Sequence, residues 1–355
     1  MTEHVLVSPR LRAAALSAAA LLLLPATAAA HEAWLLTPAE IEALAVAPIP
    51  ALFQSRLWLG LSAMAGAAGV MAAITADLRL ASLETRLAAP LARRAADVGP
   101  LVLRLGLAAM LALAATGGLP RHGTALWTQP TFLVPDMQLA LVPGWDALAP
   151  LQFVLAALLA AGLATRAAGL VLVALAVLGF GLFGAAFASY APHFAAPGLM
   201  LVLCGAGAGS LDRSLGIDGI GAPSPAATAA LWRAACILVG GGFVYLALAY
   251  KLTQPTLLIA ILDHGDFPRF GLSYPVVALV MTWVEIVCGT LLVLGRAVRP
   301  VALTIAGAIT FLALTLGETP LFHANLYGCM ALLALAGRDL ALPVPLRWSG
   351  RRAAA

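Results

Sequence analysis

The chain has 355 residues, of which 62% are hydrophobic and only 10% are charged, and its formal net charge at pH 7 is +4. Its mean hydropathy of +0.99 exceeds what a water-soluble fold can bury in its core. The composition therefore predicts a polytopic membrane protein with the lipid bilayer as its main partner. The small positive charge comes mainly from arginines between apolar segments, which argues against a nucleic-acid partner.

The first 30 residues have the pattern of a secretory leader. Arg10 and Arg12 precede an apolar run at 13–24, Pro25 interrupts the run, and three alanines at 28–30 form a small-residue cleavage pattern. This pattern predicts a cleavable signal peptide at 1–30 and a mature N-terminus at His31 on the extracytoplasmic side. The alternative is an uncleaved signal anchor that continues through Pro25.

Nine further apolar segments are predicted to be membrane spans. They lie at 56–76, 99–118, 149–164, 167–187, 195–211, 228–250, 274–294, 300–316 and 324–337. Arginines concentrate in alternate connections, which predicts that these connections and the C-terminus are cytoplasmic and that the protein lies in the inner (plasma) membrane. Leucines and arginines at mixed spacing between Asp77 and Val98 predict an interfacial helix on the inner leaflet. It completes an N-terminal region at 31–98.

An internal repeat organises the rest of the chain. Arg166 and Arg299 each open a span, and Arg104 matches Arg233 near the start of the first span of each unit. The predicted divisions are a first four-helix unit at 99–212, a linker at 213–227, a second four-helix unit at 228–340 and a cytoplasmic tail at 341–355. Because four spans return the chain to its starting side, we expect an all-α protein with two tandem parallel units and one N-terminal span.

Glu285 is the only carboxylate inside a predicted span, about 16 Å from the outer end of that span. An ionised group at this depth costs at least about 2.5 kcal/mol, so it requires a partner, a neutralising proton or a function. Lys251, the only lysine, ends the preceding span and is the predicted counter-charge. We take both as candidate catalytic residues, with Tyr245 and Tyr250 lining a cofactor cavity. The alternative is that Glu285 only fixes helix packing, beside the glycines at 240–242 and 289.

The repeat relates these ionisable residues to polar residues of the first unit. Gln152 lies 133 positions before Glu285, the offset that separates Arg166 from Arg299. By the offset between the first spans, His122 corresponds to Lys251. These substitutions predict that the second unit carries the chemistry and the first is a scaffold. They also suggest that Gln152→Glu would have little effect unless His122 is changed to Lys as well.

The second unit resembles the DoxX/DoxD family of four-helix membrane proteins. The resemblance covers about 228–340 well and 99–212 weakly, and it rests on Arg233 near the start of a span, Lys251 at its end, Glu285 before a glycine, and the turn from Arg296 to Pro300. It implies a four-helix bundle and, by analogy with the thiosulfate:quinone oxidoreductase subunit of that family, a link to membrane redox or quinone chemistry. Arg233 is accordingly a candidate cofactor-binding residue, with quinone as the candidate ligand.

The histidines suggest a different ligand. In the predicted topology all histidines beyond the leader face the extracytoplasmic side, and imidazole suits copper or zinc. His31, His264 and His323 are the candidate metal ligands, and a free amine at His31 would add a nitrogen donor.

Three functions remain open from the sequence. The first is a redox-associated membrane protein that binds quinone or serves as a subunit of an oxidoreductase, which supplies the prosthetic group because the chain shows no flavin, haem or iron–sulfur motif. The second is a non-enzymatic metal-binding or metal-transport protein. The third is an assembly subunit without a ligand, so the sequence leaves open whether the protein is an enzyme.

Overall fold

A computed structural model describes residues 35–121, 125–338 and 340 of the chain. The predicted signal peptide, His31, His122 and the predicted tail at 341–355 lie outside these residues. Within the described ranges, all regular structure is helical apart from a single antiparallel bridge between Thr131 and Gln138.

Six described helices are long and apolar enough to cross a membrane. They are Arg56–Ala95, Val98–Thr116, Thr165–Phe187, Pro225–Lys251, Tyr274–Leu294 and Val298–Thr315. The predicted class, an all-α polytopic membrane protein, is confirmed at this level.

Thirteen α-helices follow one another in the described chain. They are α1 (Pro38–Ala45), α2 (Ala51–Gln54), α3 (Arg56–Ala95), α4 (Val98–Thr116), α5 (Leu148–Ala161), α6 (Thr165–Phe183), α7 (Pro192–Cys204), α8 (Leu211–Ser214), α9 (Pro225–Leu246), α10 (Pro255–His264), α11 (Tyr274–Leu294), α12 (Val298–Thr315) and α13 (Ala324–Ala336). A π-helical turn, Ala247–Lys251, extends α9.

Three of the nine predicted spans are shorter than a full span. The segments predicted at 149–164, 195–211 and 324–337 form α5, α7 and α13, which have 14, 13 and 13 residues. A helix of that length is about 20 Å long, against about 30 Å for the hydrocarbon core. Each ends at a glycine with positive φ, namely Gly162, Gly205 or Gly337, where the backbone leaves the right-handed helical conformation and the helix stops. The predicted loop after Lys251 also contains a helix, α10.

The N-terminal span is longer than predicted. The sequence predicted a span at 56–76 and a separate interfacial helix up to Val98, but α3 runs without interruption for 40 residues and contains Pro90. Such a helix is about 60 Å long, twice the thickness of the hydrocarbon core. Its second half therefore extends beyond one crossing of the bilayer.

Two sets of four helices form the bundle. The first set is α4, α5, α6 and α7, and the second is α9, α11, α12 and α13. Within the sets, α4 packs on α5, α6 on α7, α9 on α11 and α12 on α13. Between the sets, the first helix of each packs along the last helix of the other, α4 on α13 and α9 on α7. Leu103 of α4 and Cys329 of α13 accordingly share one apolar core.

Glycine allows the close contact between α4 and α13. A Cβ atom added to Gly106 would lie 2.1 Å from the carbonyl oxygen of Ala324, and one added to Gly328 would lie 2.8 Å from Cα of Leu103. Only a residue without a side chain permits backbones to approach this closely. The two sets are therefore interlocked through their first and last helices.

Four arginines tie the helix ends together at one end of the bundle, which we call the arginine end: Arg104, Arg166, Arg233 and Arg299. Arg104 is fully buried, and its guanidinium donates five hydrogen bonds of 2.6 to 3.0 Å to backbone carbonyls. Two of these acceptors, Leu159 and Ala160, end α5. Arg233 donates to the carbonyls of Leu292 and Val293, which end α11.

The acceptors of Arg104 and Arg233 are related by a constant spacing. Leu159 lies 133 positions before Leu292, and Ala160 lies 133 positions before Val293. The same spacing separates Arg166, which donates to the last carbonyls of α7, from Arg299, which donates to the last carbonyls of α13. Equivalent side chains thus make equivalent contacts in the two sets, and α4, α6, α9 and α12 all begin at the arginine end.

Candidate functional site

Lys251 and Glu285 form an ion pair between the π-helical turn and α11. The ammonium Nζ of Lys251 donates to Oε1 of Glu285. Both side chains are largely buried, with 17% and 20% of their surface exposed. The structure therefore joins the lone lysine and the carboxylate of the α11 span, and the positive charge offsets part of the cost of holding an anion in an apolar helix.

The π-helical turn determines where Lys251 lies. The N–H of Leu252 donates to the carbonyl of Ala247 at 3.0 Å, a five-residue bond that widens the last turn of the helix. Pro255 opens α10 shortly afterwards. Isolated π turns within α-helices are frequent at functional sites because they rotate the residues that follow. Here the widened turn ends at Lys251, the residue that contacts Glu285.

Glycines hold α9 and α11 together one turn away from Glu285. A Cβ atom on Gly240 would lie 2.4 Å from the carbonyl oxygen of Gly289, and one on Gly289 would lie 2.6 Å from that of Gly240. The close approach of these helices is achieved by backbone contact. Glu285 is thus not required to bring α9 and α11 together, which weakens the alternative that it serves only in packing.

The second oxygen of Glu285 remains available for a ligand. Oε2 is buried and has no hydrogen-bond partner among the described residues. A buried acceptor without a partner costs about 1–3 kcal/mol or more when it carries charge, so native structures rarely retain one without a reason. A ligand O–H or N–H group that reaches Oε2 would recover this energy, and a protonated Glu285 would donate to a ligand carbonyl.

Gln152 has a different environment at the corresponding position of α5. Its side chain is fully buried. Its Oε1 accepts from the N–H of Leu133 at 2.7 Å, and its Nε2 donates to the carbonyl of Thr131 at 2.9 Å. The oxygen and the nitrogen of the amide thus each form one hydrogen bond with the backbone of the segment that follows α4. The first set has a satisfied structural amide where the second set has a charged pair and an unsatisfied oxygen.

The two candidate tyrosines face the first set of helices. Tyr245 and Tyr250 are buried and stack edge to face with ring centroids 5.8 Å apart. They share a small apolar cluster with Ala188, and the hydroxyl of Tyr250 donates to the carbonyl of Ala185 at 3.3 Å. They lie next to the pair in sequence and join α9 to the first set.

Arg233 lies far from the pair. It occupies the arginine end of α9, 18 residues before Lys251 and about 25 Å away along the helix axis. Its contacts are with the end of α11. The structure therefore does not bring it together with Lys251, Glu285 and the tyrosines in one site.

The candidate metal ligands form no metal site among the described residues. His264 is exposed at the end of α10, whereas His323 Nε2 lies 3.2 Å from Glu318 Oε2. His31 lies outside the described residues. No group of three histidine, cysteine, aspartate or glutamate side chains within 35–121, 125–338 and 340 is arranged to hold a metal ion.

A small cavity between the two sets includes residues that the sequence did not single out. It has a volume of about 50 Å³ and is lined by Asp136, Tyr190, His193, Glu318 and His323 among others. His193 is 4% exposed, and its Nε2 has no partner in the described structure. The residues come from the ends of α7 and α13 and from two loops. No spacing along the chain indicates that they meet.

Comparison with known proteins adds no relative to this description. No protein-family model, no curated protein and no solved structure matches the chain.

Proposed function

We propose that the protein is an inner-membrane protein of redox metabolism in which Glu285 and Lys251 bind a quinone-like molecule and exchange a proton with it. The observation that carries this proposal is the unpartnered Oε2 of a carboxylate that is otherwise paired with a lysine inside a span. Ionisable residues at such a position are expensive and are usually functional. The resemblance of the second set to the DoxX/DoxD family supports the same assignment.

The geometry assigns a distinct role to each residue. Lys251 orients Glu285, because its ammonium donates a hydrogen bond to Oε1. The free Oε2 accepts a hydroxyl proton from a quinol, whereas the protonated carboxyl donates to a quinone carbonyl. Lysine suits this position better than arginine, since its amine can release a proton when it is desolvated.

A partner completes the proposed chemistry. Oxidation of a quinol to a quinone releases two electrons with two protons, and Glu285 and Lys251 handle protons only. The electrons pass to a prosthetic group on an associated oxidoreductase subunit, so this chain acts as the quinone-binding or accessory subunit. In this proposal the arginine end faces the cytoplasm, because cytoplasmic connections carry the excess of arginine and lysine.

Binding of a short-chain ubiquinone analogue to the purified protein tests the proposal. We expect one molecule per chain, and we expect Glu285→Gln to weaken binding by at least about tenfold, since loss of one charge-assisted hydrogen bond costs about 1.5–3 kcal/mol. Glu42→Gln is the matched control, because it makes the same chemical change on an exposed carboxylate of α1. The control should bind as tightly as the unmodified protein.

Two results would overturn this function. The first is equal binding by the Glu285→Gln and Glu42→Gln variants. The second is the absence of any quinone binding by folded protein that retains its thermal stability. Quinone that copurifies with the unmodified protein and is lost from Glu285→Gln would support the function independently.

One observation favours the metal-binding alternative. His323 lines the small cavity with His193, Asp136 and Glu318, which are side chains of metal-binding types, although no three of them are arranged to hold a metal ion in the described part of the chain. If this face binds copper or zinc, elemental analysis of the purified protein should detect the metal, and His264→Ala with His323→Ala should lower its stoichiometry. Unchanged metal content in the double variant would reject these two ligands.

A further inference from the structure

The second half of α3, residues 77–95, is a surface helix at the arginine end of the bundle. About 20 residues from Arg56 are enough to cross the hydrocarbon core, so residues 77–95 continue past it. Asp77 contacts the first turn of α12, and the carbonyl of Asp97, just beyond the helix, accepts from the N–H of Ala208 after α7. The surface helix therefore runs across the ends of both sets.

One face of the surface helix is attached to the bundle. Asp77 accepts a hydrogen bond from the N–H of Ala297 at 3.0 Å, and Glu84 pairs with Arg299 at 2.8 Å. Ala88 and Ala95 are buried. The spacings of seven, four and seven residues put these four positions on one helix face. Both carboxylates of the surface helix are thus used in contacts with the bundle.

The arginines of the surface helix point away from the bundle. Arg79, Arg86 and Arg93 follow one another at intervals of seven residues, which aligns them on one side at steps of about 10 Å. All three are exposed, and none forms an ion pair with another described residue. Arg94, the fourth arginine of the surface helix, is also exposed and lies about 100° around the axis from this row, on the side of the leucines. The acids therefore face the bundle and the arginines are exposed.

A row of leucines lies beside the arginines. Leu80, Leu83, Leu87 and Leu91 occupy the adjoining stripe and are 47–68% exposed. In water this stripe would remain unburied. Next to a membrane span, the same combination of an apolar stripe and a basic stripe is that of a helix in the bilayer interface, where arginine stems lie along the apolar boundary and their heads reach the phosphates.

We propose that the surface helix is a binding site for anionic phospholipid headgroups. The guanidinium groups of Arg79, Arg86 and Arg93 donate paired hydrogen bonds to phosphate oxygens, and the leucine stripe lies at the boundary between the headgroups and the acyl chains. The leucines distinguish a lipid from a nucleic acid or an acidic peptide, because neither would cover an apolar stripe that continues from a span. The lipid attaches the outer side of the helix, while Asp77 and Glu84 attach its inner side.

Native mass spectrometry of the full-length protein with short-chain phosphatidylglycerol and phosphatidylcholine tests the proposal. We expect a preference for phosphatidylglycerol that the combined substitution R79Q/R86Q/R93Q lowers on the order of 100-fold, since each arginine near a membrane surface contributes about a factor of five. The variant R79K/R86K/R93K keeps the charges and should retain most of the preference. Thermal unfolding should be similar in all three proteins, since these side chains are exposed and form no hydrogen bond or ion pair with the described bundle.

The arms of the experiment separate the possible partners. Inorganic phosphate in the millimolar range should not displace the lipid, because it cannot occupy the leucine stripe, and L80S/L83S/L87S should weaken lipid retention without removing the charges. Displacement by phosphate alone would reduce the site to a general anion site and overturn the proposal. An unchanged preference for phosphatidylglycerol in R79Q/R86Q/R93Q, or a preference of the surface helix for RNA over lipid, would also overturn it.

Discussion

Gln152 and Glu285 occupy corresponding positions on α5 and α11 but have different partners. Gln152 uses both atoms of its amide on backbone groups of the segment after α4, whereas Glu285 uses one oxygen on Lys251 and leaves the other without a partner. The spacing of 133 residues between them also relates the carbonyls that Arg104 and Arg233 bind. At this corresponding position, the side chain of the first set (Gln152) stabilises the fold, whereas that of the second set (Glu285) has an oxygen available to bind a ligand.

Gln152→Glu should destabilise the protein by about 2–4 kcal/mol. A carboxylate cannot donate to the carbonyl of Thr131, and it would bring a buried charge against that oxygen. The structure thus replaces the expectation from sequence that this substitution is mild. Gln54→Glu is the control, because Gln54 also donates to a carbonyl, that of Ile49, but at an exposed site. Thermal unfolding in detergent should separate the two variants, and equal stability would contradict this account of Gln152.

The Lys251–Glu285 pair should show strong coupling in a double-mutant cycle. Lys251→Met alone should lower the free energy of unfolding by about 1–3 kcal/mol, because it leaves Glu285 without its cation. Adding Glu285→Leu should restore most of the loss, since replacing both partners of a buried pair by apolar residues is often neutral. Additive losses in the double variant would show that the two side chains do not interact in the folded protein.

Arg104 should be far more important for stability than Arg233. Arg104→Lys would remove most of five buried hydrogen bonds and leave carbonyls of α5 and the segment after α7 unsatisfied, with an expected cost of at least about 3 kcal/mol. Arg233 is exposed and binds two carbonyls, so Arg233→Lys should cost about 1 kcal/mol or less. Chemical unfolding in detergent measures both, and a larger loss at Arg233 would reverse this ranking.

Adjacent glycines of α9 offer a matched test of helix packing. Gly240→Ala should cost about 1–3 kcal/mol, because its Cβ atom would clash with the backbone of α11. At Gly241 no heavy atom lies within 4 Å of an added Cβ, so Gly241→Ala should be neutral or stabilise the helix by up to about 1 kcal/mol. Because Gly289 is one turn from Glu285, we also expect Gly240→Ala, but not Gly241→Ala, to weaken binding of the quinone analogue. Equal effects of the two substitutions would indicate that α9 and α11 do not cross at these residues.

Much of the membrane character was predictable because it depends on local properties of the chain. Six of the predicted spans coincide with described helices of span length, since long apolar runs satisfy their backbone only as helices in a bilayer. The lengths of α5 and α7 were less predictable. The predicted spans of α5 and α7 ran on to 164 and 211, past Gly162 and Gly205, whose positive φ ends these helices earlier, whereas α13 ends at Gly337 within one residue of its prediction.

The candidate site was only partly predictable. Glu285 and Lys251 stood out because a charge in an apolar segment requires compensation, and the structure joins them. The tyrosines were grouped with them because they lie on the same helix as Lys251, and Arg233 because of the resemblance to the DoxX/DoxD family, yet a helix distributes its residues along its length and around its axis. Arg233 accordingly lies at the opposite end of α9, and Tyr250 contacts Ala185 of the first set.

By itself, the sequence determined that the protein is helical and membrane-embedded. It also indicated that the carboxylate of the α11 span requires a counter-charge, which its one lysine can supply. Both conclusions follow because hydropathy and the cost of burying a charge act on every residue regardless of its neighbours. Tertiary structure alone decided that α4 packs along α13 and α9 along α7 and that α3 continues past the bilayer across the helix ends. It also left Oε2 of Glu285 without a partner. These outcomes depend on the fit of backbones and side chains far apart in the chain, which no local pattern of residues specifies.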